Sequence, residues 1–220
     1  MAAEEVAHEF VARGIARERI IVTGVPVRAE FETPGDPAAG RAALGLSAHA
    51  PVVLAMAGSA GGVGRLPDVV DAMLRAGRPL QGLIVTGRDG RLAARLRVRT
   101  SGTSLRVLGY STEVARLMAA SDLLVSKAGG MTLAEAMAAE TPLLLYGSLP
   151  GQERRNERFA SRAGIALVAR TRGDLGRLLD RALADPDLLD ELRAGMRRLR
   201  RPDATRRIVD IVLAPREERR

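Results

Sequence analysis

Two short segments hold the residue types from which a binding site for a phosphorylated, hydroxyl-rich ligand is built: SKAGGMTLAEA, residues 126–136, and YGSLPGQERRN, residues 146–156. In the first, Gly129 and Gly130 follow an apolar run and open a helical pattern. Lacking Cβ atoms, they let a ligand approach the backbone closely. N–H groups at a strand-to-helix turn, with the helix dipole behind them, favour phosphate. Thr132 adds a hydroxyl and Glu135 a carboxylate. A carboxylate gains roughly 1.5–3 kcal/mol from each hydroxyl it accepts. By themselves Thr132 and Glu135 also spell a T-x-x-E capping box. In the second segment a Pro-Gly turn presents Gln152, Glu153 and Asn156 at the start of a helix, as amide and carboxylate partners for an array of hydroxyls.

Lys127 is the only lysine among 34 basic residues. A compact ammonium fits where a broad guanidinium does not. Beside a pyrophosphate it would lend charge or pin the Gly129–Gly130 turn; otherwise it is an ordinary lysine at a strand end. GSAGGVG, residues 58–64, also sits between a strand and a helix, and Ser59 within it offers a hydroxyl. It reads either as an anion loop or as a tight turn. Its glycines do not give G-x-G-x-x-G, and no acidic residue closes the next strand, so a dinucleotide oxidoreductase fits poorly. The D-x-D in residues 185–187 lies between helical patterns, where Asp and Pro are ordinary stop and start residues. We read it as a cap and expect no metal.

These loops need a scaffold. Apolar β-rich runs at residues 52–57, 82–87, 104–109, 122–126, 142–147 and 165–169 each precede a helical pattern. Strands apolar throughout and separated by helices predict a parallel sheet covered on both faces. Six βα units make one α/β, Rossmann-like doubly wound sheet of about six strands, with ligands at the strands' carboxyl ends. Upstream, a helical segment (residues 3–14), a short strand (19–24) and a turn carrying Arg28 form an incomplete unit that reads as the last piece of a preceding domain.

Composition narrows the classes. The 220 residues, 46% hydrophobic, suffice for a sizeable core. No cysteines means no disulfides or thiolate metal sites. His8 and His49 are far apart and receive no role. No apolar run approaches the roughly 18 residues of a membrane helix, and the acidic N-terminus is unlike a signal peptide, so a cytoplasmic location is expected. The net charge of +8 comes with two Tyr, three Phe and no Trp. That is too little aromatic surface for a base-stacking platform, and nucleic acid is not expected as a partner. The late arginines, residues 193–207, read equally as a solvated helix face or as attraction to anionic lipid.

Residues 126–159, with VTGVPVRAEF (22–31) and GSAGGVG, resemble the C-terminal half of the glycosyltransferase family that includes monogalactosyldiacylglycerol synthase and the processive diacylglycerol β-glucosyltransferases. The resemblance runs from the N-terminal helix to about residue 200. It implies the C-terminal domain of a GT-B fold, with residues 1–28 ending the other domain and the linker, 29–200 binding UDP-sugar, and 201–220 forming a C-terminal helix and basic tail. It implies a UDP-glucose or UDP-galactose donor, a lipid acceptor such as diacylglycerol held by the other half, inverting transfer, and no cofactor. Carried onto this chain, Glu135 would hold the ribose hydroxyls, and the backbone around Tyr110 and Ser111 would meet the uracil. Ser59 and Arg28 would lie near the diphosphate. Gly129, Gly130, Met131, Thr132, Gln152, Glu153 and Asn156 would line diphosphate and hexose. A non-catalytic nucleotide or nucleotide-sugar binding module would use the same pocket. The family's acceptor loop and base have no counterpart here, so the chain alone is expected to bind donor without transferring it.

Overall fold

Runs of apolar residues that alternate between two hydrophobic clusters can only belong to strands buried on both faces. Val53 and Ala55 enter one cluster and Val52 and Leu54 the other; Leu124 faces away from Leu123 and Val125. In the computed structural model, which describes residues 4–56 and 65–214, these runs are β1 (Val52–Met56), β2 (Gln81–Val85), β3 (Leu105–Leu108), β4 (Leu123–Ser126), β5 (Leu143–Tyr146) and β6 (Ala166–Ala169). They pair in parallel in the order β3-β2-β1-β4-β5-β6. This is the expected α/β, Rossmann-like doubly wound sheet. GSAGGVG and Ser59 lie outside the described residues.

The helices are α1 (Glu4–Val11), α2 (Pro37–Ala43), α3 (Leu66–Leu74), α4 (Gly90–Thr100), α5 (Val114–Ala119), α6 (Gly130–Ala138), α7 (Gln152–Arg162), α8 (Arg172–Ala184), α9 (Pro186–Leu199) and α10 (Ala204–Leu213). Leu66, Val69 and Val70 of α3, Leu92 and Leu96 of α4, and Leu175 and Leu179 of α8 cover one face. Leu117 and Met118 of α5, Leu133 and Ala136 of α6, and Ala160 of α7 cover the other. The chain leaves β1 for the first face and β4 for the second, so a crevice opens between those neighbouring strands at their carboxyl ends.

Three local expectations are corrected. The predicted strand at residues 19–24 does not form: a 3-10 turn at Arg17–Arg19 leads into chain that is not part of the six-stranded sheet. An apolar run is a strand only where a sheet edge accepts it, and the six-stranded sheet ends at β3 and β6 without it. The capping box is absent at Thr132, because α6 begins two residues earlier with Gly129 as its N-cap. Thr132 is the third helical residue, and Glu135 lies in the second turn. A capping box does form at Thr171 and Asp174 of α8. Helix α2 was not expected; Asp36 caps it by accepting the Ala38 N–H at 2.9 Å, with Pro37 as its first residue. Asp185 accepts the Leu188 N–H at 3.1 Å, so the D-x-D segment is the cap of α9.

Candidate functional site

The turn between β4 and α6 is shaped by small residues and laced to its neighbour. Among the described residues no side chain caps α6, so the N–H groups of its first turn, starting at Gly130, remain available to an anion. Across from this turn, Gly151 takes φ of 91°, a conformation that favours glycine, and launches α7 at Gln152. Three interactions lock the two turns together. Asn156 Nδ2 donates to the Ala128 carbonyl at 2.9 Å, the Ser148 hydroxyl accepts the Ala128 N–H at 3.2 Å, and Lys127 Nζ donates to Glu153. Glu153 also accepts the Leu149 N–H at 2.8 Å. Its carboxylate is thus engaged on both oxygens, and Lys127 pins the turns. Gly130 faces the Gln152 and Asn156 amides: a Cβ there would lie 3.7 and 3.8 Å from them.

Five residues beyond Gly130, about 7.5 Å along the axis, Glu135 projects from α6 with only 15% of its side chain exposed. Its nearest charge is the Arg28 guanidinium at 3.9 Å, and it accepts no hydrogen bond among the described residues. Burial pushes its carboxyl above the ordinary glutamate value; Arg28 pulls it partly back, and Glu30 opposes that pull. The result is a half-buried acceptor with spare capacity, which structural ion pairs do not leave behind.

Arg28 joins this carboxylate to the loop after β3. It pairs with Glu30 at 2.9 Å, reaches the Thr112 carbonyl at 3.5 Å and lies 5.3 Å over the Phe31 ring. In that loop Tyr110 is 64% exposed with Arg88 5.1 Å over its ring. The Ser111 hydroxyl accepts the Glu113 N–H at 3.1 Å. The structure therefore groups Arg28, the 110–112 loop and Glu135, and it groups Gly129, Gly130, Lys127, Gln152, Glu153 and Asn156 at the start of the same helix. Met131 is half-exposed on the first turn of α6, and the Thr132 hydroxyl lies back toward Gly129. Sequence reasoning missed Ser148, Glu30, Phe31 and Thr112. Glu30 and Phe31 lie two and three residues after Arg28 and were legible as its neighbours; Ser148 and the Thr112 carbonyl gave no signal.

The chain has relatives among known proteins. The chain is 29% identical over 216 residues to the processive diacylglycerol β-glucosyltransferase of Bacillus cereus (strain AH820), matching 97% of this chain and 55% of that protein. The same figures hold for the enzyme of Bacillus mycoides (strain KBAB4). The chain thus spans about half the length of the curated relatives it matches. Among solved structures it superposes on MurG of Acinetobacter baumannii with a TM-score of 0.64 and 21% identity, over 83% of this chain and 54% of that one. It also superposes on UDP-GlcNAc 2-epimerase from Neisseria meningitidis bound to UDP-GlcNAc, with a TM-score of 0.70 and 14% identity, over 96% of this chain and 60% of that one. At those identities the likeness is one of fold. Residues 57–184 match the glycosyltransferase family 28 C-terminal domain, and the chain belongs to that family.

Proposed function

We propose that this chain is the donor-binding half of an inverting glycosyltransferase that takes UDP-glucose or UDP-galactose and transfers the hexose to a lipid acceptor such as diacylglycerol. The observation that carries the proposal is Glu135: a half-buried carboxylate accepting no hydrogen bond among the described residues, one and a half turns beyond an uncapped glycine turn. Phosphate at the first-turn N–H groups and a ribose diol at Glu135 would sit on one helix, in the order that a nucleotide presents them. That the relatives are diacylglycerol β-glucosyltransferases supports a lipid acceptor.

In this reading the departing UDP draws its charge stabilisation from the N–H groups of α6 and from Arg28. Gln152 and Asn156 border the hexose, Glu153 holds Lys127 and the Pro-Gly turn in place, and the 110–112 backbone meets the uracil. No metal or other cofactor enters the scheme. Residues 1–28 serve as the linker end of the other domain, 29–200 as the donor domain and 201–220 as a helix and tail. The enzyme would work at the cytoplasmic face of an anionic membrane.

Calorimetric titration with UDP, UDP-glucose, UDP-galactose and NADH tests this. Saturable UDP and UDP-sugar binding supports it; NADH binding without UDP binding contradicts it and favours an oxidoreductase. The 220-residue chain mixed with diacylglycerol and UDP-glucose is expected to yield no glycolipid. Transfer under those conditions would contradict the assignment of the acceptor machinery to the other half.

A further inference from the structure

A cavity of about 460 Å³ opens at the same sheet edge, lined by Ser148, Leu149 and Pro150 but not by Gln152 or Asn156. The last residues of four adjacent strands, Met56, Ser126, Tyr146 and Ala169, form its floor. Of the described residues assigned above to the donor, only Lys127 lines it. The cavity is basic once its charges are paired off. Lys127 is held by Glu153, and Arg154 bonds the buried Glu157 at 2.8 Å. Asp68, also buried, takes Arg172 at 2.8 Å and the Tyr146 hydroxyl at 2.8 Å, and Arg65 stands 4.0 Å from it. Two guanidinium groups therefore share one carboxylate. The backbone N–H of Arg170 donates to Asp174 at 3.3 Å, but its guanidinium forms no ion pair among the described residues, so the wall carries more positive charge than its carboxylates offset.

Geometry gives that charge a direction. Arg65 lies 5.2 Å over the Tyr146 ring and donates to its hydroxyl at 2.9 Å, which fixes the guanidinium plane over the cavity floor. Because the Tyr146 hydroxyl also donates to Asp68, both of its roles are filled and it acts as a support for Arg65. Leu66, Val69 and Val125 supply an apolar wall beside these cations. Fixed guanidinium groups next to apolar surface recognise phosphate that carries a carbon substituent.

We infer that this cavity is a second anion site, which binds the phosphate of a phosphate ester through Arg65 and Arg170, separately from the nucleotide. The ester is either a soluble phosphate or the phosphate of a lipid headgroup. The inference does not depend on the UDP reading.

The test is a titration of the ¹⁵N-labelled 220-residue chain with glycerol 3-phosphate, followed by NMR. Saturable shifts are expected at the amides of Gly147, Ser148 and Arg170, with those of Tyr110 and Glu135 unmoved. Arg170→Glu, at an exposed position, should weaken binding by about ten-fold or more. Arg95→Glu, the same charge change on the exposed side of α4, should leave binding as it was. Absence of saturable shifts at the three amides overturns the site. So does unchanged binding in Arg170→Glu, or equal loss in Arg95→Glu, which would mark general charge attraction. Flotation with phosphatidylcholine vesicles, with and without phosphatidylglycerol, separates the sources. Capture by the anionic vesicles alone, lost in Arg170→Glu, assigns the lipid headgroup; glycerol phosphate binding without capture assigns a soluble ester. A UDP titration that shifts the Glu135 amide while glycerol phosphate moves none of the three would remove this site and leave the donor site standing.

Discussion

Glu135 is held where its charge is costly. Burial raises its carboxyl above the ordinary value despite Arg28 at 3.9 Å. Between the ordinary and the raised value the unfolded chain has lost its proton while the folded chain keeps it, so stability falls as pH rises through that window and stays reduced above it. Glu135→Gln is therefore expected to raise the melting temperature slightly at pH 7, read by calorimetric scanning, while weakening UDP binding. An unchanged or lower melting temperature would mean that the Arg28 contact outweighs burial. Affinity for UDP should fall as pH is lowered through the raised value, at a higher pH than for an ordinary glutamate, because the protonated acid accepts the ribose hydroxyls poorly. The identity of this residue was legible in the sequence, but its surroundings were not. Arg28 is more than a hundred residues away in the chain, and only the fold brings its guanidinium to the carboxylate.

At the scale of elements, the six strands and their following helices were legible because the central strands are apolar on both faces and each helix keeps its own period. The failures share one cause. The apolar run at residues 19–24 and the T-x-x-E pattern at Thr132 are valid local signals, yet the sheet offers no edge to the first and α6 starts too early for the second. Lys127 shows the converse: its type drew notice, but its role as the tie between two turns depends on Glu153 arriving from another element. Lys127→Met should loosen both turns and weaken UDP-sugar binding by about ten-fold, roughly the worth of one charge-assisted hydrogen bond. Glu153→Gln should produce much of the same loss, and the double variant little more than either alone. Additive losses would instead mean that each residue contacts the ligand separately. Packing offers an independent check. A Cβ on Gly195 of α9 would lie 2.4 Å from the Gly164 carbonyl oxygen, so Gly195→Ala should cost about 1–3 kcal/mol of stability, measured by urea unfolding.

For the whole molecule, the sheet order creates the crevice and the helices on its second face supply the candidate donor groups. Among the described residues no helix is long and apolar enough to cross a membrane. The arginines of α9 and α10 provide positive charge on the outside of the fold. Arg197 of α9 and Arg200 just beyond it are already committed, both holding Glu140, at 3.1 and 2.8 Å. The central proposal is that this chain binds UDP through Glu135, the half-buried carboxylate on α6. The most direct test is isothermal calorimetry with UDP at pH 7.5 on the wild type and Glu135→Ala. The account predicts one-to-one binding by the wild type and a loss of about 100-fold in the variant, from two charge-assisted hydrogen bonds. Equal affinity in the two proteins, with both folded, would contradict it.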